Sequence, residues 1–536
     1  MSNSTKRIES QFLADDAARQ GSLNVARRCA ELTDPSVMPP QGQSLDSLEP
    51  EQFQSLGARG MANMEGRMLL ALYPPGQLWV QLGLAPKIDL DPGVPSKTKQ
   101  MIRDGLSMRE LALVALLESS GLRSDDGGSN VRQQAFRSQK RTAITQILIT
   151  GETLEHLTDD FRLKVFARDQ YVTRRTSSGD VLYHIVRESI DPLTLSEDQL
   201  AKAKLSKVEL QKKKSFERFV DIFTFIEWQP LTRKWTLCQE LAGHEVNELD
   251  EDVPSYFCTP FSLSPKANYG RGFVEKNRGD LHTYNELRER ILDFSVLASK
   301  LLYIKDPSSR LTAADLAKPT GSAIVDQVVN GMATKIAMLQ SNKLSDFKIV
   351  ETVTESVRKE LAKSMLIESE VTPQGERVTA TQVNRVVQEL QGALGGPYAA
   401  IAESQQIPLA RRGLWQAEQQ GILPKLNAKV YQMRATTGIG ALGRAAKAQD
   451  VTAFVQTIAQ MGPEALARIN IDILIRTIAR YQGINEPGLI KSEDDIRKEM
   501  QAAMQQQAAA KAIDVGGNAI EQNLADQSKK SLQLAG

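Results

Sequence analysis

Between Gly375 and Pro408 the chain reads GERVTATQVNRVVQELQGALGGPYAAIAESQQIP, and the punctuation of this stretch dictates its local structure. Thr379 and Gln382 stand at the N-cap and N3 spacing of a capping box, so a helix is expected to begin there. Val383, Val386, Val387, Leu390 and Leu394 follow at i, i+3, i+4, i+7 and i+11 and build one apolar stripe. Gly395, Gly396 and Pro397 end or sharply bend that helix, because glycine favours non-helical geometry and proline lacks a donor and clashes backwards. The stretch carries no catalytic group. On pattern alone it is a buried amphipathic helix of an α-rich protein.

Composition sets the outer bounds. A chain of 536 residues is long enough for about three or four units with sizeable cores. Hydrophobic residues make up 41% and charged residues 24%, an ordinary globular balance that excludes a wholly disordered chain. Lys plus Arg number 66 against 65 Asp plus Glu, a formal net charge of +1. That excludes a protein built to grip nucleic acid over a broad basic face, yet it permits a channel through which DNA slides, since every neutralised phosphate adds drag. Cys29, Cys238 and Cys258 lack CxxC or zinc-ligand spacing, which predicts a reduced compartment and neither disulfide framework nor zinc site. The start, MSNSTKRIES, is polar and lacks a signal-peptide core. No apolar run reaches the roughly 18 residues that span a bilayer, so the protein is expected to stay where it is made.

Along the chain, helices are expected at about Asp15–Leu32, across Met61, Met64, Met68 and Leu72 until Pro74-Pro75, and from Lys97 to Ser119. Leu78–Leu84 alternates as a strand, and Asp125–Gly128 is a loop. Strands are expected at Ile144–Ile149, Leu163–Arg168, Tyr171–Arg174 and Val181–Arg187, the last two joined by a hairpin turn at Ser177–Asp180. They resume at Phe219–Ile226 and Trp235–Glu240 and, after a loop, at Tyr256–Leu263. The helical excursion 195–214 carries Lys202, Lys204, Lys207 and Lys212 to Lys214, read as a solvated face rather than a DNA patch. A long helix runs from Arg278 to about Tyr303 with a seam of Leu287, Ile291, Phe294, Ala298, Leu301 and Leu302. A second runs from about Ser345 to Met365, and 304–343 between them mixes short strands and turns. Residues 428–490 are helical with breaks at Gly438, Gly443, Pro463 and Gly483. Residues 491–536 form a Gln/Ala-rich tail.

Chemistry is sought without success. No phosphate-binding G-x-x-x-x-G-K-[ST] occurs, which excludes an ATP-driven motor. Gly438 to Gly443 matches G-x-G-x-x-G after a possible strand at Lys429–Arg434, but helix-forming sequence follows where a second strand is required, so a helix boundary fits better. His156, His184, His244 and His282 are far apart and read as surface or capped histidines. Carboxylates such as Asp250 to Asp252 read as surface charges. No catalytic, cofactor or metal residue is assigned.

The Gly375–Pro408 block resembles the portal (head-to-tail connector) proteins of short-tailed, podovirus-type bacteriophages, whose chains carry a similar GERVTA segment, helix and GG break. Leu56–Pro74 (LGARGMANMEGRMLLALYP), Tyr269-Gly270-Arg271-Gly272 with Gly279-Asp280-Leu281, and Thr437-Gly438 through Gly443-Arg444 agree. The four blocks keep the family's order, and the similarity spans roughly residues 20 to 490.

The resemblance implies an α+β, predominantly helical portal fold forming a ring around an axial channel, commonly of twelve copies. It divides the chain into a wing (1–277), first stem helix (278–303), clip (304–343), second stem helix (344–366), channel loop (367–378), capped helix returning to the wing (379–427), crown (428–490) and tail (491–536). Glu355, Arg358, Lys359 and Lys363, with Glu360, would line the channel or make pairs such as Glu355–Lys359. Glu368, Glu370, Glu376 and Arg377 would belong to the loop acting as a valve, and Arg444 and Lys447 to a crown contact with the genome. The implied partners are double-stranded DNA, capsid and scaffolding proteins, the packaging terminase and the tail adaptor, with no cofactor and no membrane. The implied location is the virion, and host cytoplasm during assembly. Two alternatives stand beside this reading: a nucleic-acid-processing enzyme of mixed α/β build, and a helical scaffold or adaptor without a pore.

Overall fold

The computed structural model describes residues 7–48, 52–74, 78–120, 135–214, 217–299, 344–367, 380–427 and 429–435, with short pieces between 303 and 338 and between 451 and 478. The chain divides into Met1–Gly443 and Arg444–Gly536. In the second unit the description includes a helical stretch at 453–458. The first unit is an α+β body.

It opens with α1 (Arg7–Glu31), α2 (Leu56–Leu72), β1 (Val80–Leu84), the single turn α3 (Pro86–Asp89), α4 (Ser96–Ser120) and α5 (Phe136–Thr150). The strand-rich part follows: β2 (Glu152–Leu157), β3 (Leu163–Phe166), β4 (Tyr171–Arg175), β5 (Val181–Ile190), short helices α6 (Glu197–Lys202) and α7 (Lys207–Lys212), β6 (Val220–Gln229), β7 (Lys234–Leu241), β8 (His244–Glu251) and β9 (Tyr256–Pro260). Then come α8 (Phe273–Lys276), α9 (Arg278–Ser299), the short strands β10 (Tyr303–Lys305), β11 (Val328–Val329), β12 (Met332–Ala333) and β13 (Ile336–Met338), α10 (Leu344–Ser364), α11 (Ala380–Leu394), α12 (Gly396–Gln419) and β14 (Tyr431–Ala435).

Strands β4 to β8 form an antiparallel meander, and β3-β2-β9 a second sheet. Tyr171, Val186, Ile226 and Leu237 on one face of the meander pack against Leu154, Phe166 and Tyr256 of the smaller sheet. On its other face Val172, Ile185 and Phe223 receive Phe12 from α1. Alternation along β4 and β5 is what allows both faces to be covered. The Ser177–Asp180 turn is made as expected, with Gly179 at φ 96°. The helices α2, α4, α5, α11 and α12 share the largest core, and the last strand, β14, returns to pair antiparallel with β1.

Three sequence expectations are overturned. The start of 428–490, expected as helical, is the strand β14, paired with β1. Ile144–Ile149, expected as a strand, is the last part of α5, ended by Gly151 in the left-handed region (φ 90°). Ile144, Ile147 and Leu148 share a helical face, but Gln146, Ile149 and Thr150 are buried too. A helix covered all round shows no amphipathic period and reads like a buried strand. Conversely, HEVNELDE, expected as a loop, is β8, paired with β7 from Trp235↔Glu251 to Leu241↔His244. Pairing to β7 outweighs its poor strand composition, and acidic side chains suit a sheet edge. In the excursion, Lys202 pairs with Asp198 (3.1 Å) and Lys207 with Glu197 (3.0 Å), as a solvated face would.

Candidate functional site

The two long helices α9 and α10 lie against each other, with the rings of Phe294 and Phe347 stacked at 4.8 Å between centroids. Both are rooted in the core. Leu281 and Tyr284 are buried at the base of α9, and Leu361, Ala362 and Met365 at the base of α10. Away from the root, Leu292, Val296, Ile349 and Val353 are exposed, so the apolar stripe of each helix is only partly used within one chain. Of the predicted seam, Leu287, Ile291 and Phe294 are half-buried; Leu301 and Leu302 lie outside the described residues, as does the side chain of Ala298.

On α10, Glu355, Lys359, Glu360 and Lys363 are exposed and Arg358 is half-buried, so the structure brings these predicted charges onto one helix surface. The pairing differs from the expected Glu355–Lys359. Arg358 Nε and Nη2 each donate to a Glu355 carboxylate oxygen at 2.9 Å, one turn apart. This two-pronged bond from Arg358 holds the Glu355 carboxyl below the usual carboxylate range.

The base of α10 is held by α2. Asn63 Nδ2 donates to the carbonyl oxygens of Met365 (3.0 Å) and Leu366 (2.9 Å), end groups that have no intrahelical partner. Arg67 Nε donates to Asn63 Oδ1 (3.1 Å), and its Nη1 to Glu389 Oε2 on α11 (2.5 Å). Arg67 is 2% exposed. A Cβ on Gly60 would stand 2.2 Å from Met365 Sδ, so the α10 base lies hard against the α2 backbone. At the far end of α2, Gln406 Nε2 of α12 donates to the Leu72 carbonyl (2.6 Å). Sequence reasoning missed Asn63, Arg67 and Glu389. Their spacing on α2 and α11 is that of any polar helix face, and their partners lie some three hundred residues away.

Val386 and Leu390 of the predicted stripe are fully buried and Leu394 nearly so, and Gly395 (φ 62°) separates α11 from α12. The side chains of Val383 and Val387 lie outside the described residues, as do Thr379 and the Gln382 side chain of the proposed capping box. So do Glu368, Glu370, Glu376, Arg377, Arg444 and Lys447.

Buried charge occurs elsewhere, unforeseen. Lys140 Nζ meets Glu155 Oε2 at 2.5 Å with both side chains fully buried, and Gln405 donates to the other Glu155 oxygen. Burial lowers the Lys140 ammonium pKa, while the Glu155 carboxylate opposes the shift. Two of the four histidines depart from expectation as well, whereas His282 is exposed as expected. His184 is buried with Nδ1 2.9 Å from Thr173 Oγ1, and the His156 ring stacks on Tyr256 at 4.0 Å. Burial lowers the pKa of each to about 3. These two belong to the strand-rich core because an uncharged imidazole packs there as an aromatic ring. Among the described residues, no three metal-ligating side chains converge and no helix is long and apolar enough to cross a membrane.

The arrangement is a pair of long packed helices rooted in a mixed helix-and-sheet body. The family described as bacteriophage head to tail connecting protein matches residues 5–490, and the chain belongs to it. The portal protein of Escherichia phage T7 is 27% identical over 521 residues, covering 94% of this chain and 91% of its own. The portal protein of Enterobacteria phage T3 is 26% identical over 526 residues, covering 95% and 92%. Among solved structures, the neck of an empty GTA particle computed with C6 symmetry covers 62% of this chain and 92% of its own, at 12% identity and a TM-score of 0.26. The family match covers the span of roughly residues 20 to 490 that the resemblance implies.

Proposed function

We propose that this chain is the subunit of a portal: a closed ring at one vertex of the capsid through which double-stranded DNA is packaged and later ejected. The observation that carries the reading is the connector-family match along residues 5–490. The role is structural and involves no reaction. Identical copies placed head to tail close into a ring with an axial hole when the rotation per step fits, and twelve copies is the proposed number. In this reading α9 and α10 are the stem, the strand-rich body before them the wing, 304–343 the clip and 428–490 the crown. The charges of α10, Glu355, Arg358, Lys359 and Lys363, repeat around the hole as belts of both signs. Belts of mixed sign centre the duplex without the drag of a uniformly basic wall.

Residues 367–378 are proposed as the channel loop, with Glu368, Glu370, Glu376 and Arg377 as its charged groups and Arg377 directed at phosphates or a neighbouring copy. Arg444 and Lys447 are proposed to meet the packaged genome. Capsid and scaffolding proteins surround the wing, and terminase and then the tail adaptor occupy the clip end. The protein is a virion component at the head–tail connection, assembled in the host cytoplasm.

Electron microscopy and native mass measurement of the purified protein test this directly. Rings with a central hole are expected; monomers, or assemblies solid throughout, overturn it. A ring of Arg377→Ala subunits should still assemble but retain packaged DNA poorly, and normal retention would remove the role given to Arg377.

A further inference from the structure

We propose that Asn63 and Arg67 of α2 are positioning residues that lock the base of α10 and the helix α11 into one unit, so that the stem helix cannot tilt without carrying the wing core with it. The inference rests on the reading of α10 as a channel helix and adds to it a mechanical link to the body.

Five observations converge. The α10 terminus is already closed by its own backbone, with the Ile367 N–H donating to the Ala362 carbonyl at 2.9 Å and Leu366 held at φ 55°. The Asn63 amide is therefore an added tie from another helix, spanning two successive carbonyls at 3.0 and 2.9 Å. Its orientation is fixed, because Arg67 Nε donates to Oδ1 and leaves Nδ2 facing the α10 end. The same guanidinium reaches α11 through Glu389 at 2.5 Å, a charge-assisted bond of a nearly dry Arg67. Gly60, one turn earlier, admits the Met365 side chain close to the α2 backbone, with Met365 Cβ and Cγ each 3.1 Å from where a Cβ would stand.

The polar path therefore runs α10–Asn63–Arg67–Glu389–α11. Water at the helix end would satisfy the same carbonyls but would let the end slide. A rigid donor does not. Displacement of the wing core by a partner is thereby transmitted to α10, and force on α10 is borne by the body.

The test uses assembled rings of full-length chain and particles packaged with them. Asn63→Asp keeps the size of the side chain and its bond to Arg67, but sets a carboxylate against two carbonyl oxygens. Glu389→Gln keeps a neutral acceptor for Arg67, and Glu389→Ala removes it. Asn63→Asp and Glu389→Ala rings are expected to form with a hole while the α10 base occupies a spread of tilts in cryo-electron images. DNA retention should fall on the order of tenfold, equivalent to about 1.4 kcal/mol of lost coupling. Glu389→Gln should recover most of that loss, a rescue that a general folding defect would not give. Should Asn63→Asp fail to assemble, the two Glu389 variants carry the comparison alone. Rings of Asn63→Asp or Glu389→Ala with wild-type α10 geometry and retention overturn the inference. Wild-type protein without a ring overturns instead the reading on which it rests.

Discussion

Gly270 lies where backbones meet, and its replacement by alanine has a cost that follows from geometry. A Cβ at Gly270 would stand 2.3 Å from the Gly151 carbonyl oxygen and 2.8 Å from Pro260 Cβ, against 3.4 Å for ordinary contact. The two backbones would have to part by about 1 Å, an overpacking that costs roughly 1–3 kcal/mol. Neither can move freely. The Phe261 N–H donates to Gly151 O at 2.8 Å, Arg271 N–H to Ser262 O at 2.8 Å, and Gly270 N–H to Glu152 Oε2 at 3.3 Å. Losing one of these bonds adds about 1 kcal/mol, so Gly270→Ala should destabilise by about 2–4 kcal/mol. Gly279, a few residues on in α9, is the control: nothing stands within 4 Å of its Cβ position. Gly279→Ala should be neutral or stabilising by up to about 1 kcal/mol, because alanine is the better helix former. Chemical denaturation at fixed protomer concentration reads both variants, since assembly shifts apparent stability. Equal midpoints for Gly270→Ala and wild type, or a loss at Gly279 matching that at Gly270, would refute the reasoning.

Glu155→Gln should strand the buried Lys140 ammonium without a counter-charge and cost about 3–5 kcal/mol. The double variant Lys140→Met/Glu155→Gln should recover much of that loss, because the introduced amide oxygen still accepts from Gln405; a double-mutant cycle with no coupling refutes this. His184, lowered by burial from 6.5 to about 3, leaves the unfolded chain binding the proton first as pH falls. Its contribution is therefore complete above the unfolded value and is lost at about 1.4 kcal/mol per pH unit between 6.5 and about 3. His184→Gln should flatten that part of a stability–pH profile, and an unchanged slope would count against it.

Legibility of the fold followed the solvent. Helices with one wet face announced themselves: the Met61, Met64 and Met68 stripe of α2 is buried as expected, and α10 begins and ends within a residue or so of its expected bounds. Where no face is wet the period vanishes, and the end of α5 passed for a strand. Where the strand is an edge, as β8 is, composition points to loop, and only its pairing with β7 reveals it. The buried Lys140–Glu155 pair and the Asn63–Arg67–Glu389 path left no trace in local pattern. Each is made by residues that are individually common on helix or strand surfaces and become special only through a partner brought up by the fold.

The blocks that carried the family resemblance were legible as a set before they were intelligible one by one, and the structure supplies the missing reason. In Leu56–Pro74, Gly57 lies under the Leu32 carbonyl, Gly60 under Met365, and Asn63, Arg67 and the Leu72 carbonyl reach α10, α11 and α12. The partners Glu389 and Gln406 belong to the Gly375–Pro408 block, so these two blocks are opposite sides of one junction. Tyr269–Gly272 is likewise one side of the junction with Gly151 and Pro260. These three blocks thus sit where helices or backbones must meet at fixed distance, a demand that few side chains satisfy; the fourth, Thr437 through Arg444, lies outside the described residues. The outer surface of α10 carries no such demand: Glu355, Lys359 and Lys363 are exposed there and need only be charged and solvated. That is why the junction at the base of α10 was legible by resemblance while the outward charges of α10 were legible only as candidates.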